Sequence, residues 1–335
     1  MTPLATTTVD RWTALVPFGY TPDEAQFLTL AALHGGYFLR RQIVHYAARR
    51  EDVALHELLR KALEREHASA STWDRNVTLY HLYARPLYAA LGEPNNRNRR
   101  RHELAQIKRR VMALDFVLNH LDAAFLATER DKRETFASFG IPHSALPQRS
   151  FPGAWATSPG VRFFVDKDPI YVSAKTPTFA FIDEGQRTLS RFDRFLTEHA
   201  TLFEHLHAFR VIYVAERATH VTAARDRVQR SLDSQTASAA SNEGTLHTYF
   251  DLRQRIDNKQ FGAIDREDLL RLRDARERFS GPDIEARYAR WRAAGGPDTG
   301  LEPARLSTES LPDSRGFDVE ILSHDYSFLD HFPRA

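Results

Sequence analysis

The spacing of apolar residues changes period at Ala68, and that change restricts the fold more than any other feature of the sequence. Three stretches with helical spacing precede it. The first begins at Thr21, a good N-cap, with Pro22 in the first turn and Glu24 at the capping-box position. Ala25, Phe27, Leu28, Ala31 and Ala32 follow at helical spacing, and Gly35-Gly36 ends the run. A second helix is expected over 37–50, with Leu39, Ile43, Tyr46 and Ala47 on one face, and a third over 52–67, with Leu55, Leu58, Leu59, Ala62 and Leu63. From Ala68 the pattern turns small and polar, 73–76 (Trp-Asp-Arg-Asn) reads as a hairpin tip, and 77–83 is β-prone. Pro86 then opens a short helix that Gly92 closes. After an N-terminal arm, 1–20, three helices, a hairpin and a closing helix within 21–92 form the order of a winged helix-turn-helix.

In such a unit the third helix enters the major groove of DNA and the wing reaches the neighbouring backbone. The basic candidates are Arg60, Lys61 and Arg65 on the third helix, Arg49 and Arg50 before it, and Arg75 at the wing tip. An arginine can read guanine through two hydrogen bonds; the rest would neutralise phosphate. The same helix carries Glu57, Glu64 and Glu66, so a solvated face or a protein-interaction module is the competing reading. The stronger electrostatic signal is the basic linker and connector helix, 93–128. It holds Arg97, Arg99, Arg100, Arg101, Lys108, Arg109 and Arg110, and Ile107, Val111, Leu114 and Leu118 form a stripe on its helix, 102–126. Such a cluster adds salt-dependent, sequence-independent affinity for nucleic acid.

The second half reads as an α/β domain, 129–233. Residues 162–165 and 170–173 are expected to pair as a hairpin, 178–182 and 211–215 as buried strands, and 188–208 and 221–232 as helices. Strand, helix, strand points to a parallel crossover. The Ser/Ala-rich run 234–241 reads as a linker, 234–294 as a charged helical region whose helices 246–255 and 266–279 pair with each other or pack on the sheet, and 295–335 as a poorly ordered tail. The fold class expected is therefore mixed α+β. The chain has no cysteine, which excludes disulfides, thiolate zinc sites and cysteine nucleophiles. A formal net charge of +2 does not by itself demand a polyanionic partner. No apolar run is long enough to span a bilayer and residues 1–10 lack a signal-peptide pattern, so no membrane partner and a cytoplasmic location are expected.

Acidic residues gather at two strand ends. Asp166 and Asp168 lie near one, and Asp183-Glu184-Gly185-Gln186 ends another. Nucleases of the restriction-endonuclease-like fold hold Mg²⁺ between an Asp and a Glu on adjacent strands, here Asp168 and Glu184. They place a Lys two positions after the Glu; this chain has Gln186, with Lys175 the nearest substitute. The expectation is a domain without catalysis, Asp168, Glu184 and Gln186 being the alternative nuclease set. Lys167 and Arg187 suit salt links or phosphate contacts. His199, His205 and His207 form no metal-binding pattern, and no cofactor or metal is expected.

The segments Gly19-Tyr20-Thr21-Pro22-Asp23-Glu24-Ala25, Tyr37-Phe38-Leu39-Arg40-Arg41-Gln42 and Tyr80-His81-Leu82-Tyr83 resemble winged-helix proteins of bacterial mobile elements. The chain is similar to the plasmid replication-relaxation family, in which a strand ending in an acidic residue is followed by Gly and Thr. Phe181-Ile182-Asp183-Glu184-Gly185-Gln186-Arg187-Thr188 looks like that motif with added residues. The resemblance implies DNA binding in plasmid maintenance, transfer or transcription regulation; the partners expected are double-stranded DNA and, as an open alternative, a second copy of the chain in a homodimer. It supplies no catalytic residues.

Overall fold

The computed structural model describes residues 11–49, 57–74, 77–151, 160–260, 262, 264–279, 282–293 and 315–330. The fold is mixed α+β. It divides into two compact units, one of residues 1–228 with 314–335 and one of residues 229–313.

Helix α1 (Pro22–His34) starts as its sequence spells. Thr21 Oγ1 accepts from the Glu24 amide at 3.3 Å, and the Glu24 carboxylate accepts from the Thr21 amide at 2.8 Å. Gly36 ends the turn at φ +79°, where an added Cβ would stand 2.4 Å from the Asn98 carbonyl oxygen, so only glycine admits that approach. The expected helix 37–50 is instead a strand, β1 (Tyr37–Leu39), followed by α2 (Arg40–Ala48). Its first residues pair with a later strand, and Gln42 caps the helix that follows by accepting from the Leu39 amide at 2.9 Å. Helix α3 (Leu58–Glu64) is shorter than the expected 52–67, whose opening residues fall outside the described ones. Glu66, at φ 55°, turns the chain into β2 (Ala68–Asp74). β3 (Val77–Leu82) pairs antiparallel with both β2 and β1, giving the order β1-β3-β2. The change of period at Ala68 thus marks the first residue of β2. α4 (Arg85–Ala90) follows, with Pro86 in its first turn.

α5 (Leu104–Asn119) is the helix expected as the connector, and it is buried on more than the expected apolar stripe. Every residue from Ile107 to Leu118 is buried. Leu114 and Leu118 belong to the core built by α1, α2, α3 and α4, while Ile107, Val111, Met112, Phe116 and Val117 belong to a second core shared with the large sheet. Leu104 opens the helix, and it ends at Asn119 rather than 126.

After α6 (Glu129–Ser138), β4 (Gln148–Phe151) and β5 (Gly160–Phe163) make an antiparallel ribbon. The large sheet contains β6 (Ile170–Ser173), β7 (Thr176–Asp183), β8 (Phe209–Ala215) and β9 (Arg315–Ile321), in the order β6-β7-β8-β9. β6 runs antiparallel to β7; β7, β8 and β9 are parallel, and α7 (Ser190–His205) crosses from β7 to β8 as the parallel reading requires. Residues 162–165 and 170–173 do not form the expected hairpin. Phe164 and Lys167, at φ 48° and 59°, redirect the chain between them, and Ala174-Lys175, at 47° and 68°, fold β6 onto β7 instead. β9 comes from the stretch expected to be a poorly ordered tail. It places β8 between two partners, with Val211, Ile212, Tyr213 and Val214 buried.

α8 (Val221–Asp257) is helical through 234–241, the expected linker; alanine, frequent there, is the best helix former. In the unit 229–313, Leu246, Tyr249 and Phe250 of this helix pack with Ala275 of α9 (Arg266–Arg278) and Tyr288 of α10 (Pro282–Ala293). The charged helices therefore pair with one another. Among the described residues no helix is long and apolar enough to cross a membrane.

Candidate functional site

The cationic residues singled out by the sequence divide by what they touch. On α3, exposed Arg60 reaches Glu57 at 2.5 Å and Glu64 at 2.6 Å, and Lys61 reaches the buried Glu24 at 2.8 Å. Arg65 lies over the Tyr20 ring at 5.5 Å. Arg49 donates to the carbonyls of Leu118 and Asn119 at 2.7 and 2.5 Å, serving the end of α5, where free carbonyls and the helix dipole favour a cation. Arg50 and Arg75 lie outside the described residues. The exposed face of α3 is thus balanced in charge.

The basic segment 97–110 also splits. Lys108 is buried and paired with Glu216 at 3.0 Å and Asp330 at 2.8 Å. Arg109 stands 4.0 Å from Glu184. Arg110, 8% exposed, donates to Asn98 Oδ1 at 2.8 Å, and burial with neighbouring Arg109 lowers its pKa to about 10. These three hold the fold together and are unavailable to a phosphate backbone. Nor is the Asn-rich half flexible: Asn98, fully buried, donates to the carbonyls of Ala32 and Leu33 at 2.9 and 3.1 Å. Arg100 and Arg101 remain exposed, and Arg97 and Arg99 are half-buried. Arg101 lies close enough to Tyr37 and His81, which stack across β1 and β3 at 4.2 Å, to help lower the His81 pKa, although burial is the larger cause. Arg97 sits over the Phe151 ring at 4.9 Å; burial, then Arg162 and Arg100, hold its pKa below the usual value. Arg101, Arg100, Arg97 and Arg162 therefore form one basic tract along the described surface. Arg162, on β5, was not singled out from the sequence; its place depends on the β4–β5 ribbon, which no local pattern announces.

The acidic strand ends converge as a nuclease would need, but on a protein cation. Arg191 reaches Asp168 at 3.2 Å and Glu184 at 3.1 Å, lies over the Phe181 ring at 3.9 Å and donates to the Ile182 carbonyl. Gln186 donates to Glu184 at 3.1 Å. Burial pushes the Asp168 carboxyl above its usual pKa. Asp183 accepts from the Tyr213 hydroxyl and from the Gly185 amide. A guanidinium thus occupies the position between the carboxylates where a divalent ion would act. Lys175 sits at the opposite end of β7, about 26 Å away along an eight-residue strand, and cannot replace the missing lysine. Lys167 is not in a salt link but donates to Asn96 Oδ1 at 2.6 Å, and Arg187 is exposed.

His199 Nδ1 donates to the Phe195 carbonyl, 2.9 Å away, within an aromatic core, and His205 Nδ1 donates to the Thr201 carbonyl. His45, Asp115 and His324 are the group of described residues whose ligand atoms approach one another, within 4.8 Å. The Asp115 oxygens are already taken, by both Arg41 nitrogens at 2.7 and 2.8 Å and by the Tyr326 hydroxyl at 2.6 Å. Compared with family models, with curated proteins and with solved structures, the chain matches none.

Proposed function

We propose that the chain binds double-stranded DNA through a winged helix-turn-helix formed by α1 to β3, assisted by the basic tract Arg97 to Arg101 with Arg162, and acts as a regulator or accessory protein of a plasmid or another mobile element. The observation that carries this reading is the order α1-β1-α2-α3-β2-β3 with β1 against β3 in a sheet of order β1-β3-β2. That order agrees with a helix-turn-helix followed by a wing, and on this reading α3 is the helix offered to the major groove. The tie to mobile elements rests on the sequence resemblance alone.

The balanced charge of α3 favours a second reading, a winged helix that docks on protein. Affinity for DNA then has to come from the exposed tract, and one experiment separates the two. Binding of duplexes of random sequence is measured by fluorescence anisotropy across a salt series, for the wild type and for Arg100→Ala with Arg101→Ala. Both side chains are exposed, so the fold tolerates their loss. The DNA reading expects weaker binding to every sequence and a log K against log [salt] slope shallower by about 0.9 per lost contact. Wild-type protein that shows no salt-dependent affinity for any duplex leaves the protein-docking reading. The Arg191 bridge between Asp168 and Glu184 supports a domain that does not cleave.

A further inference from the structure

A cleft of about 290 Å³ opens between the turn at 92–97, the start of α6 and the chain leading from β5 to β6. Its charged lining is Arg97, Lys132, Arg162 and Lys167 against Glu93 and Glu129. Elsewhere buried Lys108 and Arg191 are held in ion pairs, and buried Arg110 donates to Asn98. Here, among the described residues, none of the four basic groups is in an ion pair. Lys132, 5% exposed, donates only to the Asp168 carbonyl at 3.1 Å and lies 5.3 Å from the centre of the Phe164 ring. Lys167 donates to the side-chain oxygens of Asn96 at 2.6 Å and Asn98 at 3.3 Å, both neutral. Of the nearby carboxylates, Asp131 is committed to Arg11 at 2.7 Å and Asp168 to Arg191 at 3.2 Å, which leaves Glu93 and Glu129 as the acidic groups of the lining.

We propose that this cleft is a binding site for a phosphate monoester, with Lys132 and Lys167 as its deep cations and Arg97 and Arg162 as its outer ones. Four converging donors suit a dianion with three free oxygens better than a carboxylate. The volume admits a phosphorylated small molecule or the phosphorylated end of a strand and excludes a duplex; Arg97 and Arg162 are shared with the tract proposed for duplex binding, and Lys132 and Lys167 are not. Burial and the surrounding charges agree with this: burial, then Arg110, lower Lys167 to about 7, and burial lowers Lys132 to about 8. The groups facing Lys167 are Arg110 of α5, Lys132 of α6, and Glu93 and Arg97 of the 92–97 turn. A bound dianion restores the positive charge of both lysines, so binding takes up protons near pH 8 and weakens as pH rises to 9.

The test is titration calorimetry with inorganic phosphate, ribose 5-phosphate and one single-stranded oligonucleotide carrying either a 5′-phosphate or a 5′-hydroxyl. Two variants accompany the wild type: Lys167→Asn, which keeps a residue tolerant of positive φ, and Arg162→Ala, an exposed position. Phosphate probes should bind the wild type, about tenfold more weakly to Lys167→Asn and about threefold more weakly to Arg162→Ala. A preference for the 5′-phosphate oligonucleotide that both variants abolish assigns the site to strand ends; binding of the two small probes with no such preference assigns it to a small phosphorylated ligand. Arg100→Ala with Arg101→Ala should leave this binding unchanged, so its outcome is independent of the duplex reading. Absence of binding for all probes at millimolar concentration, or equal binding to wild type and both variants, overturns the proposal.

Discussion

His34, His102 and His199 are held neutral inside the fold, with pKa values lowered to about 3, 4 and 4, in each case chiefly by burial. An unfolded chain protonates its histidines near 6.5. Their folded pKa values lie below the unfolded one, so stability is complete above pH 6.5 and falls as pH drops from there toward 4. For His199 the loss amounts to about 2 kcal/mol at pH 5. Urea unfolding at pH 7.5 and pH 5 measures it: His199→Gln should remove about that much of the wild-type difference, and an unchanged difference would place the titration elsewhere. At this scale the sequence was legible only where chemistry is local. Thr21 and Glu24 cap each other within four residues, and the structure has the cap as read. Lys108 finds Glu216 and Asp330, more than a hundred residues on, and Asp168 meets Glu184 through Arg191; no spacing rule reveals such partners. The acidic pair was therefore found, but the cation between its members was not.

The hairpin of β2 and β3 does not stand free. Trp73 and Val77, at its tip end, pack onto the core that contains Tyr326 and Leu329, and β2 touches the turn Ser327–Leu329. The Trp73 Nε1 is buried without a hydrogen-bond partner, so its ring contributes packing and its N–H a small cost. Trp73→Phe should then be neutral within about 0.5 kcal/mol, while Trp73→Ala should cost about 1–2 kcal/mol. Hydrogen exchange of β2 and β3 amides should quicken in Trp73→Ala and leave α1 unchanged; uniform quickening would mean the hairpin is not a separate element of stability. Elements with long unbroken periodicity, α1, α7 and β8, are readable from sequence because burial on one face dictates them. β1 was hidden because three buried apolar residues fit strand and helix alike, and only pairing with β3 decides. The middle of α8, 234–241, was hidden because serine, frequent in linkers, is interspersed there with alanine, which favours helix.

At the scale of the molecule, residues 229–313 interrupt the other unit in sequence, and β9 returns to pair with β8 over seven residues. The C-terminal segment also sends Tyr326 to Asp115 of α5. Replacing 229–313 by a flexible Gly/Ser linker should therefore leave a cooperative thermal transition by circular dichroism, whereas ending the chain at 313 should abolish it or lower its midpoint by more than about 5 °C. Equal melting of the two would mean β9 contributes little. Tail-like composition concealed this strand, since Gly, Pro and Ser are frequent in the residues before it. α5 has the widest consequence. Its twelve buried residues belong to two cores at once. A crossover between genes that replaced the N-terminal helices, cut anywhere from the hairpin to residue 119, would inherit part of each core from a different parent. The surfaces of α3 and the arginine tract can therefore change by point substitution, but not by shuffling.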